Sequence, residues 1–353
     1  MVDFNWKDLF GKLVQNLDLT EEEAGWAMTS ILDKDATDAQ IGAFLIGLKA
    51  KGETPLELAG FLKVIIQKSV KCDYEDPESL LDTCGTGGDG SGTFNISTAA
   101  ALVLAGCGVK VAKHGNRAAT SQSGSADVLE ALGVAVDLGP TGVKKCIDES
   151  NLGFFLAQRY HPAFKAVGQI RKDLGVPTAF NMLGPMANPA RATNQLIGVT
   201  SEVIAEKVRD VLAILGTKRA LIVTSKDGLD EISTIDITKV YTLSSIKGYV
   251  EKSSFEIDPS NYGFKAASRS DLAGGTPDQN AIIIRRILEG EKGFKRDVVI
   301  LNAAAGLTIV KKAEEIEDAI ELAADAIDSG KAAAALEKLI DVSNSESARE
   351  KEN

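Results

Sequence analysis

Along roughly the first seventy residues, apolar positions recur three or four apart, and three stretches carry a helix-start pattern just ahead of the apolar run. Thr20-x-x-Glu23 and Thr37-x-x-Gln40 are capping-box patterns, and Thr54-Pro55-Leu56-Glu57 adds a proline at the first helical position. The run "IGAFLIGLKAKG" closes on Lys49, Lys51 and Gly52, cations and then a glycine where a helix should stop. No strand pattern intervenes, so this part reads as a small all-helical domain. From about Leu80 short apolar strands alternate with helices: "SLLDT", the helix "STAAALVLAG", "VKVAKH", the helix "ADVLEALG", "VAVDL", the helix "GVKKCIDES" and "LGFFLA". Such alternation predicts a larger α/β domain whose mostly parallel central sheet is covered on both faces. The alternation pauses at "HPAFKAVGQIRKDLGVPTAFNMLGPMANPA", an amphipathic helix leading into a Pro/Gly/Asn-rich passage, and resumes with "QLIGVT", "EVIAEKVRDVLAILG" and "RALIVTS". Strand-like runs "ITKVYTL" and "GYVEKSSFEI" follow, then Ala- and Glu-rich helices, and the closing "SNSESAREKEN" reads as a frayed polar tail.

Composition narrows the function classes. Cys72, Cys84, Cys107 and Cys146 are scattered, without a C-x-x-C pair or clustered histidines, which predicts neither a disulfide framework nor a zinc site and fits a reducing cytoplasm. The start "MVDFNWKDLF" lacks a basic-then-apolar signal pattern, and the most apolar stretch, 96–112, is broken by Gly106, Gly108 and Lys110, so no membrane partner is expected. A net charge of −11 without a basic block argues against a nucleic-acid surface. A small anion remains compatible, because screening removes the distant acidic surface beyond about 8 Å.

The candidate chemistry begins at "DTCGTGGDGSGTFNIST", with five glycines among residues 85–92 between a predicted strand and a predicted helix. Gly85-x-Gly87-x-x-Gly90 matches the dinucleotide fingerprint formally, yet the next strand ends in Lys113 and His114 where a ribose-binding carboxylate belongs. The nucleotide-triphosphatase loop also fails, since Ser91 and not Lys follows Gly90. An anion site remains, built from glycine N–H groups, the N-terminus of the helix starting near Asn95, and side-chain donors from Asn95, Ser97 and Thr98. A plain strand-to-helix turn is the competing reading.

"KHGNRAATSQSGSADVLEALG" repeats the logic one strand on: Lys113, His114 and Arg117 bring charge, Gly115 and Gly124 free the backbone, and Ser125 stands where it can cap the next helix. Two such turns from neighbouring strands would line one crevice at the carboxyl edge of the sheet. For Arg117 a solvated surface charge is the alternative. Asp230 and Glu231 follow "RALIVT" at the same edge; beside phosphate-type loops they suggest Mg²⁺ held between carboxylates and phosphates, whereas alone they would read as exposed turn acids. Arg171 sits on the amphipathic helix, where an arginine is ordinarily solvent-facing.

Taken in order, "GTGGDGSGTFNIST", "KHGNRAATSQSGSADVLEALG", "HPAFKAVGQIRKDLGVPTAFNMLGPMANP" and "DGLDEIS" resemble the anthranilate phosphoribosyltransferase family, and the likeness runs from the helical start to "VVILNAAAGL". The resemblance implies a helical domain over 1–72 completed by about 166–193, and an α/β domain of nucleoside phosphorylase/phosphoribosyltransferase-like type over 73–165 and 194–345. A polar tail at 346–353 and a homodimer joined through the helical domains complete the expected picture. It implies transfer of a phosphoribosyl group from 5-phosphoribosyl 1-diphosphate to anthranilate, in tryptophan biosynthesis, with two Mg²⁺ ions. Carried over residue by residue, Gly85, Gly88, Asp89, Thr93, Asn95, Ile96, Ser97 and Thr98 would hold the donor. So would Lys113, His114, Gly115, Asn116, Arg117, Ser121 and Ser125. Gly85, Asn116 and Arg171 would meet anthranilate, and Ser97, Asp230 and Glu231 the metal. Pro177 stands where many members carry arginine, which bears on how the Arg171 helix ends, and Thr120 stands where serine is common. A pyrimidine nucleoside phosphorylase-like enzyme would need the anion loop but no metal, and a non-catalytic nucleic-acid-binding relative would keep the fold alone. The acid pair and the acidic balance speak against both.

Overall fold

A computed structural model of the chain describes residues 4–118, 122–246 and 248–352. The helical region opens with α1 (Trp6–Val14), α2 (Glu21–Leu32), α3 (Asp38–Lys51) and α4 (Pro55–Lys68). All three threonine signals are realised as reciprocal capping boxes, each threonine accepting the third backbone N–H while Glu23, Gln40 or Glu57 accepts the cap's own. Gly52 ends α3 with φ of 87°. Fully buried Glu57 also accepts from Leu19 N–H at 2.8 Å and from Lys51 Nζ at 3.0 Å, so the cap of α4 ties the helices together.

The α/β region runs β1 (Leu80–Gly85), α5 (Ile96–Gly106), β2 (Lys110–Gly115), α6 (Ser125–Ala131), α7 (Pro140–Ser150), β3 (Leu152–Leu156) and α8 (Ala157–Tyr160). Then come α9 (Lys165–Leu174), α10 (Phe180–Met186), β4 (Asn194–Gly198), α11 (Glu202–Leu215), β5 (Arg219–Ser225), β6 (Thr238–Ile246) and β7 (Tyr249–Ile257). The chain closes with α12 (Pro277–Leu288), α13 (Phe294–Ile309), α14 (Ile316–Asp328) and α15 (Lys331–Glu352). Among the described residues the strands form a seven-stranded sheet of order β3-β2-β1-β4-β5-β6-β7, parallel through β5 and antiparallel for the last two. Almost all of α5 is apolar and buried, as expected for a helix enclosed on every side, here by the sheet, α13, α14 and α15. On the opposite face α11 covers β5 and β6, and its core continues into the helical region, where α9 and α10 pack on α2, α3 and α4. Val167, Phe180 and Leu183 thereby share a core with Phe44 and Phe61.

Two expectations need correction. "VAVDL" is not a strand: Val134, Val136 and Leu138 are buried, but β3 ends the sheet and this segment's polar groups go elsewhere. Ala135 N–H donates to Ser343 Oγ at 3.1 Å, and the Leu138 carbonyl accepts from Tyr160 Oη at 3.1 Å. Nor is the tail frayed, since α15 continues to Glu352. Glu350 accepts from Gly139 N–H and from Arg159 Nη2, both at 2.8 Å, and Glu346 from Lys145 Nζ at 2.7 Å, polar anchors that an apolar-periodicity reading does not detect. The helix carrying Arg171 ends at Gly175, which takes φ of 64°, so Pro177 falls beyond the stop and does not disturb it.

Strand order reverses between β1 and β4, the crevice where open α/β sheets bind ligands. Gly85 and Gly198 are partners there, and the turn after β5 is pressed onto both. A Cβ on Gly85 would lie 2.5 Å from Asp230 Oδ2, and one on Gly198 only 1.5 Å from the Asp230 carbonyl oxygen. Gly198→Ala therefore has to expel that turn. We expect it to lower the free energy of unfolding by about 2 kcal/mol, read by urea denaturation; an unchanged midpoint would show that the contact constrains nothing.

Candidate active site

After β1 the chain turns through Gly87, Gly88, Gly90 and Gly92, all with φ between 65° and 77°, a conformation that side chains rarely adopt. The turn brings this backbone to the crevice, and α5 begins just beyond with no capping bond from the side chain of its N-cap residue, Asn95. Two backbone N–H donors here meet carboxylates. Gly87 N–H donates to Asp230 Oδ2 at 2.7 Å, and Ser97 N–H to Glu231 Oε1 at 3.2 Å. The acid turn after β5 and the glycine loop after β1 are thus one assembly, from residues about 140 positions apart.

The charges in this assembly are out of balance. Asp230 and Glu231 retain part of their surface, yet both carboxyls are pushed well above the ordinary carboxylate range, chiefly by loss of water and then by Asp89 beside Asp230 and Asp230 beside Glu231. Lys113, only 2% exposed, lies behind them, donating to the Thr83 carbonyl at 2.5 Å and to Ser97 Oγ at 3.2 Å. Burial pulls its ammonium down, while Asp82 and Glu231 hold it up. One lysine therefore faces a crowd of acids, and a hard divalent cation with oxygen ligands fits the surplus. Among the described residues no three His, Cys, Asp or Glu side chains converge as a self-sufficient metal site. The available set is Ser97 Oγ, Asp230 and Glu231, a partial shell that needs oxygens from elsewhere.

The second turn divides. His114 N–H donates to Asp82 Oδ1 at 3.1 Å, and its ring Nδ1 lies 3.2 Å from the Gly184 carbonyl. Burial and His161 push the His114 imidazole down to about 3, so the ring is neutral. The Asn116 carbonyl accepts from Ser125 Oγ at 3.3 Å, and its side-chain oxygen from Arg117 N–H at 2.9 Å. A Cβ on Gly115 would lie 2.2 Å from Ser125 Oγ, so the start and end of this turn are in close contact. Ser125 does not cap α6: Gly124 occupies that position, and Asp127 Oδ2 accepts from Gly124 N–H at 2.9 Å and Ala118 N–H at 2.8 Å. Arg117 is drawn to α6, forked on Glu130 with Nη2 2.7 Å from Oε1, in line with the surface-charge alternative. Ile96 is 1% exposed and Thr98 fully buried, so their side chains face the core. Thr93 Oγ1 lies 3.3 Å from Ser91 Oγ, and Asp89 Oδ1 accepts from Ser91 N–H at 3.1 Å, which shapes the loop internally. Ser121 and the Thr120 departure lie outside the described residues.

Arg171 is half-buried and not solvent-facing. Its guanidinium carbon lies 5.4 Å from the Phe180 ring centre, and Nη2 is 3.4 Å from Asn181 Oδ1. From Phe180 a file of rings leads inward: Phe164 at 5.5 Å, His161 at 5.1 Å and His114 at a further 5.1 Å. That file connects α9 to the carboxyl end of β2 and sets Arg171 at its outer end. His161 is also neutral, pushed down to about 4 by burial.

Sequence reading missed several residues that build this place. Gly198 was an unremarked glycine in "QLIGVT", and only the strand pairing reveals what it admits. Asn188 donates to Asp82 Oδ2 at 2.8 Å and to the Ala112 carbonyl at 2.7 Å, joining "ANPA" to both β1 and β2. For His161 the sequence signal is its place before a proline at the end of the α/β run.

Comparison with known proteins agrees with this arrangement. Residues 77–333 match the glycosyl transferase family a/b domain, and residues 7–69 the helical bundle domain of the same family. A relative from Methanocorpusculum labreanum, named anthranilate phosphoribosyltransferase, is 50% identical over 93% of this chain and 95% of its own length. The crystal structure of anthranilate phosphoribosyltransferase from Thermus thermophilus superposes with a TM-score of 0.89 at 37% identity, covering 96% of this chain and 99% of that one. The Saccharomyces cerevisiae enzyme in complex with PRPP and Mg gives 0.87 at 30% identity, over 96% of this chain and 98% of that one. The helical bundle, the mostly parallel sheet and the loops at its switch point are those of the anthranilate phosphoribosyltransferase family, and this chain belongs to it.

Proposed function

We propose that the protein transfers the phosphoribosyl group of 5-phosphoribosyl 1-diphosphate to the amino group of anthranilate, giving N-(5-phosphoribosyl)anthranilate and pyrophosphate, a step of tryptophan biosynthesis. The observation that carries this reading is the docking of Asp230 onto a glycine-loop N–H and of Glu231 onto an N–H of the first turn of α5. A simple phosphate cradle has no use for carboxylates there, whereas a site for a magnesium-bound diphosphate needs both.

Anthranilate's amine is nucleophilic when neutral, so the chain need not supply a strong base, and the depressed imidazoles of His114 and His161 fit that requirement. The demanding event is cleavage of the anomeric bond, where negative charge grows on the departing diphosphate. N–H groups of the glycine loop not committed to the protein would meet such charge from an already ordered turn, which removes reorganisation from the barrier. Ser97, Asp230 and Glu231 would hold Mg²⁺, as two ions, which when bound neutralises charge on the leaving group. Lys113 supports Ser97 from behind and keeps the acid pair from repelling the donor. Arg171 would pair with the anthranilate carboxylate and hold the amine in line with the bond to be broken.

The chain acts as a homodimer in this reading. Val14 is 87% exposed, Leu17 50% and Ile46 41%, apolar groups on the helical region that a second copy would cover. Sedimentation equilibrium is expected to return twice the chain mass, and a monomer at micromolar concentration would remove this part. The unpaired thiols of all four cysteines suit a reducing cytoplasm.

The function is tested by anthranilate fluorescence, which is expected to fall only when 5-phosphoribosyl 1-diphosphate and Mg²⁺ are both present. Arg171→Ala should then lower kcat/KM for anthranilate by about 10- to 150-fold, the worth of a charge-assisted hydrogen bond in a site shielded from water. The KM for 5-phosphoribosyl 1-diphosphate should barely move. Arg171→Lys should recover only part, because an ammonium lacks the planar fork. Unchanged fluorescence with every component present would overturn the activity, and equal losses for both substrates would remove Arg171 from the anthranilate site.

A further inference from the structure

We infer that Asn280, on α12 and outside every motif assigned to the site, is a positioning residue that acts on the donor turn through Asn95. The inference rests on the proposed role of the glycine loop and the start of α5 in holding 5-phosphoribosyl 1-diphosphate. Asn280 is 1% exposed. Its Oδ1 accepts from Gly275 N–H at 2.8 Å, which settles the orientation of the amide, and its Nδ2 donates to Asn95 Oδ1 at 2.9 Å. The same Asn95 oxygen accepts from Ser123 Oγ at 3.1 Å, while Asn95 Nδ2 donates to the Ser123 carbonyl at 3.1 Å.

Both acceptor directions of Asn95 are therefore filled by the protein. Its side chain joins three segments that each border the crevice: the start of α5, the end of the Lys113 turn at Ser123, and the approach to α12. The approach to α12 also runs antiparallel along the glycine loop. Thr93 bridges Ala273, Phe94 N–H donates to the Leu272 carbonyl at 3.2 Å, and Gly274 N–H to the Gly92 carbonyl at 2.9 Å. Lys295 Nζ, 5.7 Å from the Phe94 ring centre, closes the outer side. Asp230 holds the glycine loop at its beginning, and this ladder with the Asn280–Asn95 pair holds it at its end. Asn95 thus sets the direction of the first α5 N–H groups, with its side-chain oxygen committed to the protein.

Removing Asn280 takes one of the two donors from Asn95 Oδ1 and the side-chain acceptor from Gly275 N–H, both partly buried, which frees the turn to reorient. Asn280→Ala is expected to raise the KM for 5-phosphoribosyl 1-diphosphate roughly tenfold while the KM for anthranilate stays within about twofold. In an Asn95→Ala background the same change should add nothing, since its path is already cut. Asn280→Asp keeps the acceptor for Gly275 but turns a carboxylate toward Asn95 Oδ1, so it should be no better than alanine. Amide hydrogen exchange provides a readout independent of activity: residues 92–98 should exchange faster in Asn280→Ala than in wild type. Equal rises in both KM values, an undiminished effect in the Asn95→Ala background, rescue by aspartate, or unchanged exchange over 92–98 would each overturn the inference. If Asn280→Ala fails to fold, Asn280→Ser, with a donor and acceptor of shorter reach, carries the same comparisons. Wild type without activity would instead refute the underlying transferase reading, and that failure appears before any variant is compared.

Discussion

Asp230 lying across Gly85 and Gly198 is the contact on which the rest of the site depends. The two glycines end β1 and β4, the central strands where the order of the sheet reverses; a methyl group on Gly198 would displace the turn after β5, and one on Gly85 would push the Asp230 carboxylate aside. Close approach at this point brings carboxylates into a crevice otherwise built for anions. It also commits Gly87 and Ser97 N–H groups to those carboxylates, so the glycine loop, the start of α5 and the acids form one hydrogen-bonded unit. Raised carboxyl affinities for protons are the electrostatic cost of that arrangement, which a divalent cation held by Asp230 and Glu231 would relieve.

The helical region contributes through packing and not through a separate site. Its core extends over α9 and α10, which interrupt the α/β alternation in sequence, and onto the face of β4 and β5. Arg171 rides on α9, and the file Phe180, Phe164, His161 and His114 gives that helix a rigid relation to β2. The side chain proposed to meet anthranilate is thereby placed relative to the loops proposed to hold 5-phosphoribosyl 1-diphosphate. Each ring contact is worth on the order of 1 kcal/mol, which favours this one arrangement.

Much of this was legible in sequence where the signal is local. The threonine caps at 20, 37 and 54 formed as read because both partners of each box lie within four residues. Lys113 and His114 in place of a ribose-binding acid correctly turned the reading away from a dinucleotide. What escaped was set by contacts between distant residues. "VAVDL" has the apolar alternation of a strand, but β3 closes the sheet and leaves it no partner. The closing segment looks disordered by composition, yet Lys145, Arg159 and Gly139 give its acids places to dock. Arg117 lies within a phosphate-type motif, and the nearby Glu130 claims it. No local pattern marks Asn188 or Asn280, since each matters only for the strands or loops it joins.

The central claim is that the acids and the phosphate loop form half of a metal site, the other half being the diphosphate. Isothermal calorimetry of Mg²⁺ with the protein, in the presence and absence of 5-phosphoribosyl 1-diphosphate, tests it directly. The account predicts weak metal binding by the protein alone and weak donor binding without metal. Together they should bind at least ~10-fold more tightly, since coupling between two ligands is reciprocal. Equal affinity for Mg²⁺ with and without the donor, or tight binding by the protein alone, would contradict it.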